Sequence, residues 1–337
     1  MGERPIRWGV LATGNIAGCF ARDLRLLSDH ELVAVGSRSL SRAQAFAAEH
    51  GVARAYGSYA EVCEDPEVDV VYVATPHSDH YATTRYALEA GKAVLCEKAF
   101  TVNAAQAREL VALARAKGLF LMEAMWMRTN PLHLQLRDVV ASGAIGRVTQ
   151  IRAELGFAAE YDPNGRLFSP ELAGGALLDV GVYPVALAYH LLGVPDGVHA
   201  FARLAPTGVD AATNLVLRYT DGACAMLTGA LDTHLSNVAV IAGTEGFIRL
   251  PRSFHDTDRF TVHRPDRETE EYSVQLLGVG YAHEALEVAR CLREGLTESP
   301  LVSLADSLAV MDVLDEARRQ IAVTYPDEAT LDVPDPS

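Results

Sequence analysis

The first third of the chain alternates short apolar runs with longer segments of helical periodicity. The runs that predict strands occupy residues 6–11, 32–35, 68–74, 93–96 and 119–122. The segments that predict helices occupy residues 14–27, 39–50, 80–90 and 104–117. Strands that are apolar throughout must be buried on both faces, so the pattern predicts an α/β domain with a parallel sheet between two layers of helices.

The apolar pattern changes after residue 127. Strand-like runs now follow one another, at residues 148–157, 214–219, 223–231, 237–241, 247–250 and 260–263. Thr220-Asp221-Gly222 joins two of them, and an Asp-Gly turn accepts the positive φ that a tight antiparallel hairpin needs. Helices are predicted at 131–141, 282–294 and 304–321. This pattern predicts a second, α+β domain with a large, mainly antiparallel, open-faced sheet.

These patterns predict two domains, residues 1–127 and residues 128–337. The runs at 214–219 and 223–231 are rich in apolar residues, so we expect both faces of the second sheet to be apolar there. Helices on one side would leave the other face to solvent or to a partner. We therefore expect a homodimer, or a dimer of dimers, that covers this face.

The net charge restricts the partners. The chain has 29 Lys and Arg against 44 Asp and Glu, which gives a formal net charge of −15. Such a surface repels nucleic-acid backbones and anionic lipid headgroups, so neither nucleic acid nor a membrane is an expected partner. A hydrophobic content of 49% allows a large core, as in an enzyme that binds a small molecule.

Cysteine usage and the amino-terminal residues indicate a cytoplasmic protein. The five cysteines are odd in number, far apart and without a Cys-x-x-Cys pair, which favours reduced thiols over a disulfide framework. No apolar leader pattern precedes the first predicted strand. The longest apolar stretch, residues 180–195, is expected to be too short to cross a bilayer, and it contains Tyr, His and Pro.

A candidate phosphate-binding turn lies directly after the first predicted strand. The residues that would form it are Ala12, Thr13, Gly14, Asn15 and Ile16. In such a strand–turn–helix unit, backbone N–H groups and the positive end of the helix face the pyrophosphate of a dinucleotide. Ala12 and Ala17 occupy the first and third glycine places of the usual fingerprint, so an ordinary strand–helix turn is the alternative.

The end of the second predicted strand favours NADP over NAD. An enzyme that uses NAD usually presents an acidic residue there to the ribose 2′-hydroxyl. This chain instead has Ser37, Arg38 and Arg42 and no carboxylate. A guanidinium forms charge-assisted hydrogen bonds to a 2′-phosphate, which a carboxylate would repel. We predict that these three residues bind the phosphate of NADP; two solvated surface arginines are the alternative.

Five motifs occur in an order that is known from one enzyme family. They are the phosphate turn, Ala74-Thr75-Pro76 with His80, Cys96-Glu97-Lys98-Ala99, Met122-Glu123-Ala124-Met125-Trp126 and Gly174-Gly175-Ala176-Leu177-Leu178-Asp179-Val180-Gly181-Val182-Tyr183. Over essentially its whole length the chain resembles the glucose–fructose oxidoreductase/inositol dehydrogenase (Gfo/Idh/MocA) family. It looks most similar to the branch of dimeric dihydrodiol dehydrogenases and NADP-dependent D-xylose dehydrogenases, in which Tyr is typical at the position of Tyr183.

The resemblance implies a Rossmann domain followed by an α+β domain. It also implies hydride transfer between NADP and a carbinol or carbonyl carbon of a sugar, polyol or trans-dihydrodiol. By resemblance, Lys98 and Tyr183 are catalytic residues beside the nicotinamide and the reacting carbon, and Asp179 is their neighbour.

The same resemblance assigns further residues to the ligands. Those placed along the cofactor are Thr75, Pro76, His80, Glu97 (near a ribose) and Lys98. Trp126 is placed against the substrate. Phe157 is a further candidate for an aromatic wall around a sugar ring or an arene diol, and both aromatic residues also fit a plain core.

Lysine and tyrosine suit this chemistry. Removal of a hydride from a carbinol carbon requires the hydroxyl proton to leave to a base, and tyrosine is a poor base because its ordinary pKa is about 10. A lysine cation stabilises the phenolate, and lowering the pKa by ~2 units corresponds to roughly 3 kcal/mol. Asp179 could hold Lys98 charged or bind a second substrate hydroxyl.

Two positions depart from what the resemblance implies. The family usually has proline after the lysine, often with a cis peptide bond, whereas this chain has Ala99. Because a cis bond before a residue other than proline costs about 3 kcal/mol, we expect a trans bond and a slightly shifted Lys98. Pro184 is tolerated only in the first turn of a helix, so the helix that carries Tyr183 is expected to begin near Asp179.

Other functions remain open. Within the family, the alternatives are an NAD-dependent cyclitol dehydrogenase and a nucleotide-sugar ketoreductase. Outside enzymes, a dinucleotide-binding sensor is the alternative, although a sensor needs no proton relay. His77, Asp79 and His80 lack further ligands at the spacing of a zinc site, so no metal is predicted.

Overall fold

A computed structural model describes residues 4–326 and 328 and divides the chain into two compact units. The first unit comprises the residues up to Thr101, Ala105–Thr129 and Leu276–Leu308. The second comprises Val102–Ala104, Asn130–Gln275 and the described residues from Ala309 onward. The predicted boundary after residue 127 lies near the break at Thr129, but residues 276–308, which were predicted in the second domain, belong to the first unit.

The first unit contains a six-stranded parallel sheet. Its strands are β1 (Ile6–Leu11), β2 (His30–Gly36), β3 (Arg54–Tyr56), β4 (Val70–Val73), β5 (Ala93–Glu97) and β6 (Leu121–Ala124). They lie in the order β3-β2-β1-β4-β5-β6, the strand order of a Rossmann fold, with the reversal between β1 and β4. The predicted α/β class of this part is confirmed.

Except for α3, which the sequence patterns did not predict, the α-helices begin and end close to the predicted residues. They are α1 (Asn15–Leu24), α2 (Leu40–His50), α3 (Tyr59–Glu64), α4 (His77–Glu89), α5 (Ala104–Lys117), α6 (Pro131–Ala141), α7 (Val182–Leu192), α8 (Tyr281–Arg293) and α9 (Leu304–Ile321). Gly51 ends α2 with a φ of 68°, the left-handed conformation that glycine adopts at low cost. The side chain of Asn130 accepts a hydrogen bond from the backbone N–H of Leu132 and so caps α6.

Aromatic side chains form the centre of the first unit. Phe20 of α1 stacks on Tyr72 of β4, with ring centroids 4.0 Å apart, and meets Trp8 of β1 edge-on at 5.2 Å. The indole N–H of Trp8 donates a hydrogen bond to the imidazole of His30, at 3.1 Å. All three aromatic rings are fully buried, so they fix α1 against the sheet beside the start of the phosphate turn.

The segment around α8 belongs to the first unit because α1 holds it. The carboxylate of Asp23 on α1 accepts hydrogen bonds from the backbone N–H groups of Val279, Gly280 and Ala282, at 3.0–3.3 Å. These donors lie at the amino-terminal end of α8, where N–H groups have no partner within the helix. An acidic residue more than 250 positions away in sequence is a capping partner that local patterns cannot predict.

The second unit contains an eight-stranded sheet. Its strands are β7 (Val148–Gly156), β8 (Gly197–Leu204), β9 (Asp210–Arg218), β10 (Cys224–Ala230), β11 (Ala239–Gly243), β12 (Phe247–Leu250), β13 (Arg259–His263) and β14 (Glu270–Ser273). They lie in the order β14-β13-β12-β11-β7-β10-β9-β8. All neighbours are antiparallel except β7 and β10. The sheet is therefore mainly antiparallel, as predicted, and α7 packs on β7 and β10.

The open face of this sheet is mixed, so the prediction that both faces are apolar was wrong. Leu215 and Leu217 of β9 are buried, whereas Asn214, Val216 and Arg218 between and beside them are exposed. Strand pairing continues this row across the sheet through exposed His199, Val216, Met226, Arg152 and Arg249 and half-buried Val240. Burial alternates along β9 and β10, but their exposed positions include the apolar residues Val216 and Met226. Both strands therefore look continuously apolar in the sequence.

Sequence patterns missed four elements: β3, α3, β8 and β14. Each is short or lies at the edge of a sheet, and none has the buried side chains that produce a clear periodicity. β14 has the sequence Glu-Glu-Tyr-Ser and is largely exposed, so its residues resemble a solvated loop. Edge strands of this kind are stabilised by backbone pairing with one neighbour, which side-chain patterns do not reveal.

One segment, Pro170–Leu192, is long and apolar enough to span a membrane by length and composition. It has 23 residues and a mean hydropathy of 1.5, so the expectation of a shorter stretch was an underestimate. Within the structure, 89% of its most apolar window is buried. That burial is typical of a core helix, since its apolar side chains already pack against protein.

Candidate functional site

The predicted phosphate turn follows β1 at the carboxyl edge of the first sheet. Ala12 has a φ of 89°, a conformation that favours glycine, which usually occupies this first place of the fingerprint. Gly14 precedes α1 and is exposed, and no side chain caps the first N–H groups of the helix. A side chain at Gly14 would meet no atom within 4 Å, so the turn leaves open space in front of the helix. The geometry fits an anion.

The predicted 2′-phosphate residues follow β2 at the same edge. Ser37 is buried, and its hydroxyl accepts a hydrogen bond from the backbone N–H of Ser39 at 3.3 Å. The side chain of Arg38 is 71% exposed, and its nearest carboxylate oxygen, on Asp79, is 3.7 Å away. Arg42 is exposed. Because an exposed ion pair at this distance contributes little, the Arg38 guanidinium can reorient towards a phosphate.

Thr75 and His80 connect the end of β4 to the end of β5. The ring nitrogens of His80 lie 2.9 Å from the carbonyl oxygen of Thr75 and 2.8 Å from that of Ala99. His80 is fully buried, and burial lowers its pKa. Because both of its ring nitrogens lie against backbone carbonyls, His80 holds the segment after Lys98. The hydroxyl oxygen of Thr75 is buried and has no hydrogen-bond partner among the described residues.

Glu97 and Lys98 form the carboxyl end of β5. The carboxylate of Glu97 accepts hydrogen bonds from the hydroxyl of Tyr72 and, at 3.2 Å, from the backbone N–H of Lys98. The Lys98–Ala99 peptide bond is cis, so the predicted trans bond was wrong. Contacts fix the next peptide group, between Ala99 and Phe100: the Ala99 carbonyl faces His80, and the N–H of Phe100 donates to Glu123.

Glu123 on β6 holds the segment that follows Lys98 through a hydrogen bond from the Phe100 backbone. Its two carboxyl oxygens accept hydrogen bonds from Phe100 N–H, at 3.1 Å, and from the hydroxyl of Ser307, at 2.6 Å. The residue is buried, and burial raises its pKa to about 7. Sequence reasoning quoted Glu123 only as part of a motif and gave it no role.

Trp126 and Pro76 also lie at this edge of the first unit. Trp126 follows β6 in a single 3-10 turn, is only 4% exposed and stacks on Tyr281 of α8 with ring centroids 4.7 Å apart. Gly280 has a φ of 115°, and any side chain there would meet the Trp126 ring at 2.8 Å. The indole is thus held rigidly. Pro76 is half-buried directly before α4.

In the second unit, the segment that carries Asp179 and Tyr183 is helical from Leu177. A wide π-helical turn spans Leu177–Gly181, and α7 then begins at Val182. Pro184 is the third residue of α7 and follows the π turn directly, so the helical segment begins slightly before Asp179, near the expected position. Asp210 holds the start of the π turn, because its carboxylate accepts a hydrogen bond from the N–H of Leu177 at 2.7 Å.

Asp179 lies against an arginine that the sequence did not suggest. The Arg166 guanidinium donates to both carboxylate oxygens of Asp179, at 2.7 and 3.4 Å. Asp179 is buried, while the Arg166 side chain is 52% exposed. Arg166 comes from the long loop between β7 and α7, where neither spacing nor periodicity distinguishes it from a solvated residue.

Tyr183 lies against a histidine that the sequence also did not suggest. The rings of Tyr183 and His255 have centroids 4.8 Å apart and planes inclined by 44°. The residues on either side anchor His255: the Phe254 carbonyl oxygen lies 2.9 Å from the His133 ring, and Asn130 donates to the Thr257 carbonyl at 3.3 Å. Both rings of the pair are thereby held in the second unit.

Phe157 directly follows β7 in the second unit. Its backbone N–H donates to the carbonyl of Ala230, at 3.1 Å, while its ring is 39% exposed. Phe157 is therefore not a core residue, in contrast to Trp126, which is only 4% exposed. Contact between Phe157 and a substrate stays a prediction.

The first unit has the features that a nicotinamide dinucleotide requires. The uncapped N–H groups of α1 fit the pyrophosphate, the loosely paired Arg38 fits a phosphate, and the unpartnered hydroxyl of Thr75 fits a hydrogen-bonding group of the ligand. Among the described residues there is no group of three or more His, Cys, Asp or Glu side chains that could hold a metal ion.

Comparisons with known proteins agree with this fold. Residues 6–125 match the model of an oxidoreductase family with an NAD-binding Rossmann fold, and residues 133–249 match the GFO/IDH/MocA C-terminal domain. The mouse protein named trans-1,2-dihydrobenzene-1,2-diol dehydrogenase is 39% identical over 335 residues, 96% of this chain and 99% of its own. Its pig counterpart is 40% identical over 334 residues, with the same coverage.

Solved structures share the fold over most of the chain. A 3-ketoreductase from Actinomadura kijaniata, in complex with NADP and TDP-benzene, is 29% identical with a TM-score of 0.85; the match covers 94% of this chain and 98% of that one. An aldose-aldose oxidoreductase from Caulobacter crescentus has a TM-score of 0.86 at 23% identity, covering 95% and 98%, and shows likeness in fold alone.

The chain is thus an oxidoreductase with an NAD-binding Rossmann domain. It belongs to the Gfo/Idh/MocA family, as the resemblance of its motifs implied.

Proposed function

We propose that the protein is an NADP-dependent dehydrogenase or reductase that acts on the CH–OH group of a trans-dihydrodiol, a sugar or a polyol. The observation that carries this proposal is 39–40% identity, over 96% of the chain, to proteins named trans-1,2-dihydrobenzene-1,2-diol dehydrogenase. The cofactor supplies the redox chemistry when bound, by exchanging a hydride with the carbinol or carbonyl carbon. The protein supplies binding, orientation and proton transfer.

The proton transfer is assigned to Tyr183. In reduction its hydroxyl donates a proton to the carbonyl oxygen, and in oxidation its phenolate accepts the proton of the substrate hydroxyl. Lys98 stabilises the phenolate with its positive charge and donates a hydrogen bond to the substrate oxygen. Asp179, held by Arg166, is assigned to a second substrate hydroxyl, because a buried carboxylate accepts such a bond strongly.

A panel of substrates tests this function. The rate of NADPH formation or consumption would be followed with trans-dihydrodiols, aldoses, cyclitols and diketones. We expect turnover with a dihydrodiol or an aldose. Turnover confined to a nucleotide-linked sugar would instead favour the second candidate, a ketoreductase, which the match to the NADP-bound 3-ketoreductase supports. Tight cofactor binding without turnover on any of these compounds would favour a sensor.

Cofactor preference is expected to depend on Arg38. We expect NADP to bind at least tenfold more tightly than NAD, a difference of roughly 1.4 kcal/mol, because only NADP offers the 2′-phosphate to the guanidinium. Replacing Arg38 with alanine should weaken NADP binding about tenfold and leave NAD binding nearly unchanged. Titration of both dinucleotides by tryptophan fluorescence or calorimetry measures this.

The control for that experiment is Arg85→Ala. Arg85 is an exposed arginine on α4 that pairs with Glu89 on the same helix, so its loss changes the net charge equally. It should leave both affinities unchanged. Equal affinity of the wild type for NADP and NAD would contradict the assignment of Ser37, Arg38 and Arg42.

We infer a homodimer that covers the open face of the second sheet. Its exposed side chains include Phe201, Val216, Met226 and Phe247, apolar groups that a partner would remove from water. Light scattering at micromolar concentration should give twice the mass of the chain or more. Met226→Glu should shift the protein towards the monomer, whereas Leu26→Glu, at an exposed leucine outside this sheet, should not. A monomeric wild type would refute the proposal.

A cytoplasmic location is also proposed. All five cysteines are unpaired, and burial raises the pKa of Cys63 and of Cys291 to about 12, so these thiols stay protonated. Unreactive free thiols are typical of proteins in a reducing compartment.

A further inference from the structure

Glu284 is a fully buried carboxyl group in the first turn of α8 that the mechanism does not use. Neither of its oxygens has a hydrogen-bond partner among the described residues. A buried carboxylate without a donor or a cation is very costly, because the protein interior solvates charge poorly. Such a group is stable in the fold only if something removes its charge.

Two other carboxyl groups interact electrostatically with Glu284, and both have donors. Glu97 on β5 receives hydrogen bonds from the Tyr72 hydroxyl and the Lys98 N–H. Asp23 on α1 receives them from three backbone N–H groups at the start of α8. Three neighbouring acids cannot all be ionised cheaply, and the proton settles on the one that has no donor. That acid is Glu284.

We propose that Glu284 is a positioning residue for Glu97: it stays protonated at neutral pH, confines the negative charge to Glu97, and thereby holds the Glu97 carboxylate under Tyr72 and the Lys98 backbone. Ionised Glu284 would repel Glu97 from these donors. The effect reaches the cofactor through Glu97 and Lys98, and that part of the proposal rests on the proposed function. Glu284 itself touches neither substrate nor cofactor in this account.

Among the described residues, the charged groups that act on Glu284 are the carboxyl groups of Glu97 and Asp23. Burial, followed by the charges of Glu97 and Asp23, raises the pKa of Glu284 well above its usual value. On β4, Tyr72 is itself buried, and burial raises its pKa as well. The arginines beside α8 are exposed Arg22 of α1, exposed Arg25 directly after α1, and Arg128, which pairs with Asp306. The other titratable side chains of α8 are Tyr281, His283, Glu287, Arg290, Cys291 and Arg293.

The pH dependence of unfolding tests this protonation without any ligand. An acid whose pKa is raised on folding stabilises the fold below its unfolded pKa of 4.5, and this contribution is lost as the pH rises towards the folded pKa. Glu284→Gln keeps the shape and cannot ionise. The melting temperature of the variant minus that of the wild type should therefore increase between about pH 5 and pH 8.5, by about 2 °C or more.

Glu287→Gln on the same helix is the matched control. Burial tends to raise the pKa of Glu287, but hydrogen bonds from Arg290 and Ser299 outweigh it and lower the pKa. Its stabilisation is present above pH 4.5 and is lost as the pH falls through the folded pKa. The Glu287→Gln variant should thus be less stable than the wild type at pH 8.5, the opposite of Glu284→Gln. A constant difference between Glu284→Gln and the wild type across the pH range would overturn the proposal.

Infrared spectroscopy provides a second measurement if Glu284→Gln folds poorly. Wild-type protein labelled with ¹³C in the glutamate carboxyl carbons should show the carbonyl band of a protonated glutamic acid at about pH 8.5, where Glu123, with a pKa of about 7, is ionised. Absence of the band would refute a neutral Glu284.

The proposed effect of Glu284 on cofactor binding is tested by measuring NADP affinity against pH. The wild type should lose NADP affinity at alkaline pH as Glu284 ionises, at least threefold, and Glu284→Gln should abolish that loss without changing the affinity at pH 6. If the wild type and Glu284→Gln lost NADP affinity equally at alkaline pH, Glu284 would not act on the cofactor through Glu97. The stability result would still stand. Failure of both proteins to bind NADP would instead contradict the proposed function.

Discussion

Replacing Tyr183 with phenylalanine is expected to lower kcat about 10²–10⁴-fold, the usual cost of losing general acid–base catalysis. The substitution removes only the ionisable hydroxyl, and the ring can still pack against His255. Affinity for NADP should therefore stay within about twofold of the wild type, because cofactor binding is assigned to the first unit. Steady-state kinetics and cofactor titration measure the two quantities separately.

Tyr189→Phe is the control for this substitution. Tyr189 lies on the same helix, α7, and the change removes the same atom. It should leave kcat nearly unchanged. Near-full kcat in Tyr183→Phe, with a deuteride isotope effect confirming that chemistry limits the rate, would show that Tyr183 is not the proton relay. Lys98 acting alone would then be the candidate, because both ring nitrogens of His80 face backbone carbonyls.

Replacing Lys98 with methionine is expected to lower turnover about 10²-fold. The cation is assigned a lowering of the Tyr183 pKa by ~2 units, roughly 3 kcal/mol of stabilisation of the phenolate. Methionine has a similar length and no charge. The residual activity should show its alkaline pKa moved upward, because the phenolate loses its cation. An unchanged pH profile would separate Lys98 from the proton transfer.

The double variant distinguishes a shared step from two separate effects. If Lys98 acts through the Tyr183 phenolate, Lys98→Met should reduce the activity of Tyr183→Phe much less than it reduces that of the wild type. Fully multiplicative losses would indicate that the two residues act independently. Lys98→Arg keeps the positive charge and should recover part of the activity, which a purely structural role for the lysine would not predict.

Sequence patterns predicted the fold class and most of its elements because buried side chains determine both. Strand β1 and helices α5, α6 and α9 have the predicted limits, and β1 is an apolar strand whose last four residues are all buried. The sequence patterns failed where strand pairing, or a contact between residues distant in sequence, determines the structure. β8 and β14 depend on one neighbouring strand, and α8 joins the first unit through Asp23, whose position in sequence gives no indication of that contact.

The candidate site was predictable where residue type and local order carry the chemistry. The phosphate turn, Arg38 and the Glu97-Lys98 pair are contiguous motifs at strand ends, and the structure places them at one edge of the first sheet. Arg166 and His255 come from irregular segments and acquire meaning only through contacts with Asp179 and Tyr183. The cis bond before Ala99 likewise lies beside contacts from His80 and Glu123, which are distant in sequence.

Direct observation of hydride transfer is the most decisive test of the account. Wild-type protein would be incubated with NADPH carrying deuterium at nicotinamide C4, on the face whose hydrogen is transferred, and with the carbonyl form of the best substrate from the panel. The product would be analysed by mass spectrometry and NMR. The account predicts one deuterium on the newly formed carbinol carbon of each product molecule. Product without deuterium at that carbon, with either face labelled, would contradict it.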